Sequence, residues 1–108
     1  MSVKKYYSLT KQRLFPICRS ITGNGVRKTL KIIKKNFPEL KIKKIKSGTK
    51  VFDWDIPPEW NVTDAYVIDK NNLKIIDFKK NNLHVVGYSH PIDKFLSLKE
   101  LKKKIFTF

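Results

Sequence analysis

Apolar positions along this chain follow two periods, and the change between them falls at Pro38. Before it the spacing is helical. Leu14, Ile17, Cys18 and Ile21 recur at i, i+3, i+4 and i+7, which lines one face of a helix, and Pro16 is expected to end or kink an earlier helix near Phe15. Ser20 to Gly25 reads as a loop in which Thr22 and Asn24 are candidate helix caps and the glycines permit a tight turn. Val26 to Phe37 is the clearest helix. Val26, Leu30, Ile33 and Phe37 form its apolar stripe, Arg27, Lys31, Lys34 and Lys35 lie opposite, and Pro38 stops it.

After Pro38 the period becomes two. Leu40-Lys-Ile-Lys43 alternates, and in Val51 to Ile56 the side chains of Phe52, Trp54 and Ile56 are expected on one strand face with Asp53 and Asp55 on the other. Further strands are expected at Ala65–Asp69, Leu73–Phe78 and Leu83–Tyr88, the first two joined by the turn Lys70-Asn71-Asn72. Ser97-Leu-Lys-Glu100 is a capping-box signature that opens a last helix through about Lys104. The expected fold class is α+β: two N-terminal helices, a small mostly antiparallel β-sheet of about five strands, and a short C-terminal helix.

Composition adds a core and a charge. A chain of 108 residues with thirteen aromatics can bury about 65% of its unfolded surface without staples. Single Cys18 excludes an internal disulfide, and the charged start has no long apolar run, so the chain reads as soluble and cytoplasmic with no membrane partner. The formal charge of +15 sits in one half. Residues 1–50 hold fifteen Lys and Arg against the single Glu39, a net of +14, while residues 51–108 hold nine against eight acids, a net of +1. All but Arg13, Arg19 and Arg27 are lysines, whereas base-edge recognition leans on arginine geometry. Trp54, Trp60, Tyr66, Phe78 and Tyr88, which could stack on bases, lie in the balanced half. Nucleic acid is therefore disfavoured and the lysines read as solvated faces; a basic module docking an acidic partner or nucleic acid is the alternative.

Candidate chemistry is sparse. Gly23-Asn-Gly-Val-Arg-Lys-Thr29 approaches a phosphate-loop pattern but has Thr22 and Arg27 where glycines are needed. What remains is a set of candidate anion or interface contacts: Arg19, Asn24, Arg27 and His84. His84 and His90 would stand about 20 Å apart on an extended strand, and Cys18 has no helpful spacing to either, so no metal site is expected. The Asp53/Asp55 pair reads as a solvated strand face, and no serine sits in a nucleophile motif. No catalytic, metal or cofactor-binding residue is assigned.

Longer strings carry more information. Leu14-Phe-Pro-Ile-Cys-Arg-Ser-Ile-Thr-Gly-Asn-Gly-Val-Arg-Lys-Thr-Leu30, Ser47-Gly-Thr-Lys-Val-Phe-Asp-Trp54, Pro58-Glu-Trp-Asn61 and Asn82-Leu-His-Val-Val-Gly-Tyr-Ser89 stand in the order and spacing of a bacterial aminopeptidase-like family. Asp64-Ala-Tyr66 and Ser97-Leu-Lys-Glu-Leu101 also fit, so the chain resembles the amino-terminal segment of that family from about residue 9 to residue 106. The resemblance implies a relation to co-catalytic zinc aminopeptidases with a small inserted domain of unknown function. On that basis residues 1–46 are expected to form the N-terminal helical part of an incomplete catalytic domain, and residues 47–108 the inserted β-rich domain. Zinc is implied for the full-length family, while no position here matches its ligands. The implied partners are the remainder of the catalytic domain or a second copy of the chain. Helices separated from that domain would leave apolar patches exposed.

Overall fold

In the computed structural model, which describes residues 2–105, the chain opens with helix α1, Val3–Leu9, whose last turn widens into a π-type segment, Thr10–Leu14. Phe15 N–H donates to Thr10 O at 2.8 Å, and Pro16, lacking an N–H, ends the run. Helix α2 spans Asn24–Asn36. The ring of Tyr6 stacks on Phe37 just beyond it, with centroids 5.9 Å apart and planes 3° from parallel. The expected helical face of Leu14, Ile17, Cys18 and Ile21 does not form, because residues 17–23 are irregular once Pro16 has broken the ladder.

The buried side of α2 is wider than its stripe. Val26, Leu30, Ile33 and Phe37 are half-buried, and so is the adjacent row Gly25, Thr29 and Asn36, which contains Ile32. Ile32 is the one apolar residue that counts as buried among the described residues, at 8% exposed. Arg27, Lys28, Lys31, Lys34 and Lys35 face solvent.

Beyond α2 the chain forms two separate antiparallel hairpins rather than one sheet. Strand β1, Lys50–Val51, pairs with β2, Trp54–Asp55. The expected continuous strand Val51–Ile56 is thus folded back on itself at Phe52-Asp53, with Phe52 at φ 53°. Its alternation is lost, Asp53 sits in the turn, and Asp55 pairs with Lys50 at 3.8 Å. Strand β3, Tyr66–Ile68, pairs with β4, Lys74–Asp77, across the turn that contains Lys70-Asn71-Asn72. This hairpin forms as the sequence predicts. Asn72 takes the left-handed conformation at φ 61°, and the Asp69 carboxylate accepts from Asn71 N–H at 2.8 Å and Leu73 N–H at 3.0 Å.

Two expected strands are absent. Leu40–Lys43 has no partner to pair with, and residues 41–50 are all exposed. In place of a strand at Leu83–Tyr88 there is a 3₁₀ turn, Asn82–His84, capped by the Asn81 side chain accepting from Leu83 N–H at 3.0 Å, followed by loop. Helix α3, Leu98–Lys102, has the expected capping box: Glu100 N–H donates to Ser97 Oγ, and Ser97 N–H donates to the Glu100 carboxylate. The α+β class holds, with three helices and four short strands among the described residues. No helix there is long and apolar enough to cross a membrane.

The chain is open. Its radius of gyration is 17.7 Å, against about 13 Å for a compact domain of this length. It exposes 9809 Å², whereas a compact monomer of its mass exposes about 6,200 Å². Phe52 and Phe95 are essentially fully exposed, and Val3, Ile21, Leu83 and Leu98 are mostly so.

Candidate functional site

The most highly connected part of the molecule is a hydrogen-bonded knot at the start of α2. At the start of α2 two positions lie so close to neighbouring backbone that a side chain is excluded. Gly23, at φ 120°, has Trp60 O where a Cβ would stand, 2.6 Å away. A Cβ on Gly25 would overlap the Cys18 carbonyl and lie 2.7 Å from Arg19 Cβ. The first N–H of α2 is capped from a distance: Asn24 N–H donates to Asn61 Oδ1 at 2.7 Å, and neither Thr22 nor Asn24 serves as the local cap. Thr22 instead joins the segments around Pro58 and Tyr88. Its Oγ1 lies 3.2 Å from Pro58 O and 2.8 Å from Tyr88 Oη, which lies 3.1 Å from Pro58 O, and the two hydroxyl protons serve two of these three contacts. Trp60 lies beside Tyr88, ring centroids 6.2 Å apart, and its Nε1–H donates to Ser89 O at 3.0 Å.

Each candidate contact residue has a hydrogen-bond partner within the chain, three of them in this knot or beside it. Arg19 Nη1 donates to Leu14 O at 2.8 Å and Asn82 Nδ2 to Phe15 O at 2.7 Å, so both satisfy carbonyls at the end of the first helical run. Arg27 donates to Asn24 Oδ1 at 2.7 Å and forms an ion pair with Glu59. Both members of that pair are more than a third exposed, so its contribution is at most about 1 kcal/mol. His84 lies apart, in the 3₁₀ turn, with Nδ1 3.1 Å from Asp77 O. An open groove of about 940 Å³ runs past Cys18, Asn24, Trp60 and Phe78. It brings Arg19 and Asn24 to one wall and includes Lys28, Lys79 and Lys80, but neither Arg27 nor His84 lines it.

The described residues contain no group of three or more His, Cys, Asp or Glu able to hold a metal ion. Outside the knot one ion pair is well formed. Lys79 Nζ lies 3.0 Å from Asp64 Oδ2, which holds the Asp64 carboxyl below and the Lys79 ammonium above their ordinary ranges. Glu100 is likewise held low by hydrogen bonds from Ser97. These are positioning contacts: none places a nucleophile beside a base.

The segments in the knot, residues 14–30, 58–61 and 82–89, are among the strings that carry the aminopeptidase-like resemblance. Residues 7–103 match the family model described as "Domain of unknown function (DUF4910)". The chain belongs to this family. A Clostridium acetobutylicum protein provisionally named a polysaccharide biosynthesis protein with an aminopeptidase-like domain is 60% identical over 96 residues, covering 89% of this chain and 22% of that protein. A crystal structure of a Clostridium acetobutylicum protein provisionally assigned as a peptidase superposes with TM-score 0.87 at 59% identity, over 93% of this chain and 23% of that one. The chain therefore spans less than a quarter of the length of these relatives.

Residue type alone does not single out Glu59, Asn61 or Asn82, and it marks Tyr88 only as an aromatic. Their signal was membership in the quoted strings. Trp60 and Tyr88 pack on each other.

Proposed function

We propose that this chain is the amino-terminal structural segment of a zinc aminopeptidase-like protein, with no catalytic centre of its own and no hydrolytic activity alone. The observation that carries this reading is the exposed area, about 3,600 Å² more than a compact monomer of this mass presents. Helices and hairpins with apolar faces open to water are what a piece of a larger core looks like. The share of the relatives that the chain spans agrees with it. The boundary near residue 46 falls in the exposed, irregular stretch before β1, which suits a connection between a helical part and a β-rich insertion.

Zinc belongs, on this reading, to the rest of the protein, where it would activate a water and polarise the scissile carbonyl. The residues of this chain do not fit such a site, and no catalytic step is assigned to them. The chain's role is to position. The knot fixes α2 against the segments around Pro58 and Tyr88, and so fixes how the β-rich part stands on the helical part. A cytoplasmic setting is part of the proposal. Polysaccharide biosynthesis, named for the relative, is the process in which to seek the substrate.

The test compares this chain with the full-length Clostridium acetobutylicum relative on aminoacyl substrates with added zinc. Hydrolysis by the relative and none by the chain is expected; zinc-dependent turnover by the chain at a comparable rate would overturn the proposal.

A further inference from the structure

Resting on that reading, we infer that residues 90–105 form a docking arm whose apolar face is covered by the aminopeptidase-like remainder of the protein. Three observations lead there. First, the arm is detached. Ser89 O, which accepts from Trp60, is the last hydrogen-bonded link to the body; among the described residues every hydrogen bond made by residues 90–105 stays within them. No other helix or strand forms a packed interface with α3.

Second, the arm is encoded to be ordered and buried. Its capping box is complete, yet a helix of five residues is far below the roughly 12–15 at which an isolated helix begins to persist in water. One cap contributes on the order of 1 kcal/mol, too little to offset the cost of nucleation. Such a helix holds only when its apolar face is packed. That face exists: Leu98, Leu101 and Ile105, with Lys102, line a hollow of about 360 Å³, and Ile92 and Phe95, on the approach, are 60% and 101% exposed.

Third, the size of the uncovered surface selects the occupant. A standard protein–protein interface takes about 800 Å² from each partner. Over the whole chain the excess is about 3,600 Å², several times that, which fits packing of this chain, the arm included, within one large fold better than a pair of copies. The relatives supply such a body, since more than three-quarters of each lies outside the matched region. The arm carries five lysines against Asp93 and Glu100, so the surface it meets is an apolar groove bordered by carboxylates.

Amide hydrogen exchange tests this in the isolated chain and in the full-length Clostridium acetobutylicum relative. The reporters are the amides of Leu101 and Lys103, bonded to Ser97 O and Glu100 O, and their equivalents in the relative. Slowing by about a hundred-fold or more in the relative, against near-free exchange in a monomeric isolated chain, is expected. Fast exchange in the relative, with α2 protected there, overturns the arm while leaving the segment reading intact. Protection already present in the isolated chain also overturns it, and a rise with chain concentration would then identify a second copy as the occupant.

Discussion

Gly25→Ala is the sharpest probe of the knot. Gly25 needs no unusual φ, so the substitution carries no penalty from backbone conformation itself. What it meets is steric. The added Cβ would overlap the Cys18 carbonyl oxygen and stand 2.7 Å from Arg19 Cβ and 2.9 Å from Arg19 Cα. Two of those three neighbours are backbone atoms, which cannot rotate away as a side-chain tip can. Relief requires the 18–19 backbone or the start of α2 to move, and such forced shifts cost about 1–3 kcal/mol. The movement would also carry Asn24 N–H away from Asn61. Gly87→Ala is the matched control, because its Cβ would meet only Ser20 Cβ at an ordinary 3.9 Å. That variant should be neutral or up to about 1 kcal/mol more stable, since alanine restricts the unfolded chain. Urea unfolding followed by Trp60 fluorescence reads both, in a Trp54→Phe background that leaves Trp60, packed beside Tyr88, as the sole reporter. Equal midpoints for the two alanine variants would refute the close approach of α2 to the Cys18 backbone.

Asn61→Ala should cost about 1 kcal/mol by uncapping α2, and Asn61→Asp, which keeps an acceptor at the helix N-terminus, should restore most of it; loss of helical ellipticity at low urea is the readout. The Asp64–Lys79 pair gives a pH dependence with a definite sign. The Asp64 carboxyl is held low in the folded chain, so its contribution is present above about pH 4 and is lost as pH falls through the depressed value. The Lys79 ammonium is held high, so its share persists through neutral pH and is lost only as pH rises through the elevated value. Asp64→Asn should flatten part of the acid limb of unfolding midpoint against pH, and an unchanged limb would count against the pair.

What the sequence revealed depended on how local each determinant is. Helix α2, the β3–β4 hairpin and the cap of α3 were all legible, because a stripe, an Asp-Lys-Asn-Asn turn and a Ser-x-x-Glu box act within a few residues. The knot was not legible from residue type. Its bonds join Asn24 to Asn61, Phe15 to Asn82 and Thr22 to Tyr88, and no periodicity encodes a partner that far along the chain. The helix cap illustrates the difference: Thr22 and Asn24 have the right chemistry at the right place, yet the acceptor comes from Asn61 because Thr22 is committed to Tyr88 and Pro58.

The misread segments share a property that bears on function. Alternation at residues 40–43 and 51–56 marks a chain meant to bury every second side chain. Several of those side chains are exposed here, Ile42 at 38%, Phe52 at 98% and Trp54 at 47%, as is Leu83 at 74% in the third segment, residues 83–88. Alternation makes a strand only when a neighbour pairs its backbone and a second layer covers its face; without both, the β1–β2 hairpin stays short and residues 83–88 relax into a turn and loop. The opposite holds for β3–β4, which carries its own partner and its own turn. The β3–β4 signal was obeyed because the chain contains both halves of the pairing, and those at 40–43 and 83–88 were overridden where one half is missing. The hydrophobic pattern is therefore written for a larger surrounding than these 108 residues provide. That is the same inference the excess surface area gives, reached from the positions of the side chains rather than from their total.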